Sequence, residues 1–236
     1  FSEVSGWEAP NWFAPAGKKA EVEQLSFGRM NWWPYWEAEH RACREGVVLM
    51  DMSIMSRFLV QGRDAGMLLE RISANRVDGE EGQITYTQWL NERGGIEADV
   101  TVTRIAAQRF IIVTGHPSQA RDMAWITANT DPAWQCDVVD MTSAYSLLTI
   151  HGPKTRGILQ ALTNDDVSNT AFPFGAAREM DLAHARAWVI RRSFFGELGY
   201  ELMIPTEFTA HVYEALIRVG TPLGLRHVGM FAMNAC

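Results

Sequence analysis

From about residue 57 onward, apolar positions recur with the two periods that separate strands from helices. Phe58-Leu59-Val60 is a short apolar run of the kind a buried strand carries. Asp64 stands where it can cap a helix, and Ala65, Leu68, Leu69 and Ile72 then form one stripe. Residues 84–90 and 96–103 predict two strands joined by the turn Asn91-Glu92-Arg93-Gly94-Gly95. Residues 110–113 predict a further strand, 118–128 a helix and 136–139 another strand. The order is β-α-β-β-β-α-β.

A similar pass follows. Residues 146–150 predict a strand, and Gly152-Pro153 opens a helix with Pro at its first position and Ile158, Leu159 and Leu162 inward. Residues 176–181, 185–191 and 200–204 predict three strands. Thr206 is expected to cap a helix with Phe208, Val212, Ala215, Leu216 and Val219 inward and Gly220 as its stop. The two passes predict an α+β fold: two related antiparallel-sheet modules with helices on one face. Ahead of them, residues 1–36 are rich in Trp, Pro and Gly and predict an irregular arm laid over a core. Residues 37–44 have helical composition.

Composition narrows the function classes. With 236 residues, 47% hydrophobic and 21% charged, the chain can bury one large core or two modest ones. A net charge of -7 argues against nucleic acid as a main partner. The 3 cysteines form no CxxC, so neither a zinc ribbon nor a redox pair is expected, and a reducing compartment is: cytoplasmic, or the mitochondrial matrix in a eukaryote. No apolar run is long enough to span a bilayer. The chain starts Phe1-Ser2-Glu3-Val4, and residues 229–236 open a helix without a stop signal; a piece of a longer protein is the expectation. There is no GxGxxG after a strand, no GxSxG and no HExxH, and the histidines are dispersed; no metal site is expected.

Two carboxylates stand out. Asp99 lies in a strand where Val100 and Val102 share one face and Asp99, Thr101 and Thr103 the other. Aspartate is disfavoured in strands, so its presence asks for a reason, whether a solvated face or a function. Glu197 sits between two glycines in Phe194-Phe195-Gly196-Glu197-Leu198-Gly199-Tyr200-Glu201-Leu202. Glycines permit close approach of a ligand, and a carboxylate can accept two parallel N–H bonds; an exposed turn is the plain alternative.

These stretches together resemble the glycine-cleavage T-protein (aminomethyltransferase) family. The blocks are Tyr86-Thr87-Gln88-Trp89-Leu90-Asn91-Glu92-Arg93-Gly94-Gly95-Ile96-Glu97-Ala98-Asp99-Val100-Thr101-Val102, residues 194–202, His151-Gly152-Pro153-Lys154 and residues 46–53, in the family's order. Gly6-Trp7-Glu8-Ala9-Pro10-Asn11-Trp12-Phe13-Ala14 resembles the segment that joins the flavin half to the folate half in dimethylglycine and sarcosine dehydrogenases. The resemblance implies the aminomethyltransferase folate-binding fold without its C-terminal barrel. It implies a first module over residues 1–54 plus 141–236, carrying the arm, and an inserted ferredoxin-like module over 55–140. It implies tetrahydrofolate as the ligand, with Asp99 catalytic near the bridging nitrogens, Thr101 beside it, Glu197 on the amino-pyrimidinone edge and Tyr86 lining the pocket. FAD enters only through a separate flavin dehydrogenase domain, in cis or in trans. The implied reaction captures a one-carbon unit from an imine as 5,10-methylenetetrahydrofolate.

One departure weakens a folate contact: Ala232-Met233-Asn234 stands where T-proteins carry Ala-Arg-Asp. Three other readings remain: a folate-dependent demethylase, a docking module for a flavin partner, and the iron–sulfur assembly branch. That last branch carries a cysteine in its glycine-rich motif, and residues 193–200 have none.

Overall fold

Strand alternation builds two sheets whose inner faces meet. The computed structural model describes residues 1–4, 6–15, 17–19 and 21–236. Its elements in chain order are β1 (Ser2–Val4), β2 (Trp7–Ala9), α1 (Trp33–Glu45), β3 (Val48–Asp51), β4 (Ser56–Gln61), α2 (Ala65–Ile72), β5 (Ile84–Leu90), β6 (Ile96–Ala106), β7 (Arg109–Thr114), α3 (Gln119–Asn129), β8 (Asp137–Asp140), β9 (Tyr145–His151), α4 (Thr155–Leu162), β10 (Ala177–Leu182), β11 (Ala185–Ile190), β12 (Gly199–Pro205), α5 (Thr209–Gly220), β13 (Arg226–His227) and α6 (Met230–Ala235). One sheet has the order β5-β6-β7-β4-β8 and the other β10-β11-β12-β9-β3-β13; β1 and β2 form a separate hairpin. All pairings are antiparallel except the edge pair β13-β3. The runs β5-β6-β7-β4 and β10-β11-β12-β9 share one order, which makes the modules related at the level of topology.

Each sheet buries helices on its outer face. Phe58, Val60, Phe110 and Ile112 pack with Leu68 and Leu69 of α2 and Ile126 of α3. Leu148, Ile150, Tyr200, Leu202 and Ile204 pack with Ile158 and Leu159 of α4 and Val212 and Leu216 of α5. Each such fully buried side chain contributes roughly 1.5–3 kcal/mol. The alternate positions form a third core between the sheets, where Ile111 and Val113 of β7 meet Val48, Met50, Leu147, Ile190 and Met203. Backbone bonds join the sheets as well: Ile84 N donates to Gly175 O at 2.9 Å and Ala177 N to Gly82 O at 2.6 Å. Arg57, buried at the head of β4, donates to Ser53 O at 3.1 Å and Tyr145 O at 2.9 Å, and so clamps both chain crossings between the sheets.

Several local expectations shift. Asp64 makes no cap bond to its own helix; its carboxylate accepts from Gln135 N at 2.8 Å and pairs with Arg63. Helix α4 starts at Thr155, two residues after Pro153, because Gly152 (φ 113) is committed to a close approach against Gly46 O. Thr206 opens a 3-10 turn rather than capping α5, and its hydroxyl donates to Ser143 O at 2.8 Å. Gly220 ends α5 without breaking it; the left-handed stop is Gly224 (φ 83) after one more 3-10 turn. Helix α1 begins at Trp33, with Pro34 in its first turn, four residues before the expected start. The arm is not wholly irregular, since it contains the β1–β2 hairpin.

Candidate functional site

The inner-face positions turn from apolar to polar toward one end of the molecule. Along β6 they run Ile105, Thr103, Thr101, Asp99; along β9 Leu147, Thr149, His151; along β12 Met203, Glu201, Gly199. Thr101 and Thr103 are therefore buried between the sheets, not on an outer surface, while Asp99 reaches solvent.

Arg192 joins the two faces. Its Nη1 donates to Thr101 Oγ1 at 2.6 Å and its Nε to Glu201 Oε1 at 2.7 Å. Glu201 is 3% exposed, and its other oxygen, Oε2, has no protein partner. Thr149 Oγ1 and both ring nitrogens of His151 are buried and unpartnered in the same way. These groups line one cavity of about 20 Å³, walled by Met50, Met52, Met55 and Met233 and rimmed by Phe194. That volume holds a single water. The methionine side chains around it are of the unbranched, adaptable kind. Burial, aided by the Arg192 charge, pushes the His151 imidazole down to about 4, so it is neutral at physiological pH.

At the open end, Tyr86 and Gln88 lie opposite Thr101 and Asp99 on the same face of the β5–β6 hairpin. Gln88 Nε2 lies 3.5 Å from Asp99 Oδ1. The Asp99 carboxylate beside the Tyr86 hydroxyl raises the phenol's pKa above its usual value; the nearby Arg192 charge works against this. The structure thus brings Tyr86, Asp99 and Thr101 together. It does not bring Glu197 to the same place: Glu197 is paired with Arg44 of α1 at 3.1 Å. Arg44 also binds Phe195 O at 3.1 Å and Cys236 O, so Glu197 anchors the Gly196 bend to α1 and α6.

Sequence reasoning missed Arg192, Glu201, Thr149 and His151. Alternation carries a usable signal for Glu201: Tyr200, Leu202 and Ile204 face the helices, so Glu201 must face the other sheet. Among the described residues no group of three or more His, Cys, Asp or Glu is placed to hold a metal.

Two facing α+β modules, open at one polar and arginine-bridged end, define a domain of the aminomethyltransferase type. Residues 1–236 match the GCVT N-terminal domain, and the chain belongs to that family. It is 35% identical over 235 residues to 4-methylaminobutanoate oxidase (formaldehyde-forming) of Paenarthrobacter nicotinovorans, across 100% of this chain and 28% of that protein. It is 31% identical over 232 residues to mitochondrial dimethylglycine dehydrogenase of Mus musculus, across 98% of this chain and 26% of that protein. The chain therefore spans little more than a quarter of these relatives. The fold matches the glycine cleavage system aminomethyltransferase T of Bartonella henselae with a TM-score of 0.79 at 24% identity, over 100% of this chain and 57% of that one. No helix among the described residues is long and apolar enough to cross a membrane.

Proposed function

We propose that this chain binds tetrahydrofolate and places a one-carbon unit on it, giving 5,10-methylenetetrahydrofolate and the free amine from the imine that a flavin dehydrogenase makes by oxidising a methylated amine. The observation that carries the reading is the Arg192 bridge, which sets Glu201 of one sheet against Thr101 of the other, two residues along β6 from Asp99. Folate supplies two amine nitrogens that can share a one-carbon unit. The protein's part is to hold the ring and manage charge beside those nitrogens.

Glu201 Oε2 is a buried acceptor that awaits a donor, which suits the amino-pyrimidinone edge of a pterin. Arg192 fixes the other oxygen, so the free lone pairs point one way. In this reading Glu201 takes the pterin edge expected of Glu197, and Glu197 acts through the bend it anchors. Asp99, with Tyr86 against it, stands at the open end where the amine nitrogens of a ring held at Glu201 come to lie. Its negative charge there favours a cationic one-carbon donor and can orient or relay a proton. The donor comes from a flavin dehydrogenase domain, in cis or in trans, and FAD belongs to that domain. The Paenarthrobacter relative, whose name specifies formaldehyde formation, suggests formaldehyde as a test donor.

The test is turnover of tetrahydrofolate and formaldehyde by the purified chain, followed as 5,10-methylenetetrahydrofolate above the uncatalysed rate. Catalysis that disappears in Asp99→Ala, with an unchanged circular dichroism spectrum, is the expected result. Folate binding without turnover would demote the chain to a docking module, and normal turnover in Asp99→Ala would remove Asp99 from the mechanism.

A further inference from the structure

We propose that His151 is a positioning residue that fixes the rotation of the ring held at Glu201; the inference rests on the folate reading above. His151 ends β9, and its register partner across the ladder is Gly199 of β12. A Cβ at position 199 would lie 2.1 Å from His151 Nδ1, so the imidazole lies across the strand in space that only glycine leaves open. The ring is 1% exposed and leans on Phe195, with centroids 4.8 Å apart.

A buried histidine that served only to fill space would pair at least one nitrogen with a protein group. Here neither nitrogen has a protein partner, and Glu201 Oε2 and Thr149 Oγ1 line the same cavity equally unpartnered. Three side chains thus bring unpaired polar atoms to the lining of one space. A neutral imidazole presents one donor and one acceptor, and a threonine hydroxyl either; the free carboxylate oxygen presents only acceptors. Together they fit a planar heterocycle with donors and an acceptor along one edge. Glu201 alone, with one free oxygen, lets such a ring swing about its hydrogen bond. A second bond from His151 removes that freedom and holds the far side of the ring toward Asp99.

The experiment titrates 5-formyltetrahydrofolate calorimetrically into the wild-type chain, His151→Gln, His151→Phe and Gly199→Ala, with KM and kcat measured using formaldehyde and tetrahydrofolate. His151→Phe keeps the ring volume, so its melting temperature should hold, while Kd rises about tenfold and kcat falls as well, because the ring is no longer held in its orientation toward Asp99. His151→Gln, which keeps a donor and an acceptor, should recover most of the affinity. Gly199→Ala, which displaces the ring without removing it, should match the Phe variant. Wild-type affinity in His151→Phe, or a Gln variant as weak as Phe, overturns the proposal; if the Phe variant does not fold, unchanged binding in Gly199→Ala does so. A wild-type chain that binds no folate overturns the folate reading itself, a distinct result.

Discussion

Glu197 and Glu201 stand four positions apart in one glycine-rich motif, yet they meet different neighbours. Glu197 keeps a partly exposed ion pair with Arg44, an interaction worth about 0–1 kcal/mol. Glu201 keeps a buried oxygen for a ligand. Glu201→Gln should therefore weaken folate binding by roughly 1.5–3 kcal/mol, the worth of a hydrogen bond to a charged group. Glu197→Gln should change it by no more than about threefold, within the range of such an exposed pair. Calorimetry that found the reverse order would return the pterin edge to Glu197. Asp99 was readable in the sequence because an aspartate interrupts an otherwise β-favouring run. Glu201 was readable only in part: alternation sets it opposite Tyr200, Leu202 and Ile204, but such a strand looks half-solvated until its polar face is known to meet another sheet. Arg192 and His151 carry no local signal at all: their roles arise from contacts with residues 91 positions away and across a strand ladder.

At the scale of elements, strands and helices with strong periodicity were legible to within a few residues. The caps were not, because Gly152, Asp64 and Thr206 serve tertiary contacts instead, although α2 still starts at Ala65 as expected. The two-residue strand β13 is too short for any period, and it exists because β3 offers an open edge. The arm is held by a longer-range device. Glu39 of α1, 3% exposed, accepts from Phe13 N at 2.6 Å and from Gly229 N at 3.0 Å. Gly229 packs so closely that a Cβ would lie 2.2 Å from Asn11 O, and Trp12 and Trp32 cover Phe231 of α6 at ring separations of 6.0 and 4.7 Å. Glu39→Ala leaves two buried N–H groups unpaired, a cost of roughly 2–5 kcal/mol. Limited proteolysis should then cut between residues 10 and 32 much faster than in the wild type. Equal cutting rates would show that the aromatic packing holds the arm without Glu39.

For the whole molecule, the α+β class and the doubled pass of elements could be read from period alone, but not the meeting of the two sheets. Both faces of each sheet carry apolar residues, and the chain does not say which face takes helices and which takes the other sheet. That meeting buries His151 beside Arg192, and it makes stability depend on acid in a definite direction. An unfolded imidazole titrates near 6.5, and the folded one is pushed down to about 4. Between those values the unfolded chain binds a proton that the native chain refuses. This contribution is complete above pH ~6.5 and is lost as pH falls toward 4, up to about 3 kcal/mol. His227, also lowered by burial, adds in the same direction. Glu39, raised by burial, works the other way as it gains its proton. Urea midpoints for the wild type should therefore drop steadily between pH 6.5 and 4.5. His151→Phe has no proton to take up at that position, so its midpoint should fall much less over the same range. Parallel slopes would mean that the ring finds water on protonation, and that the contact between the sheets is looser around His151 than its burial indicates.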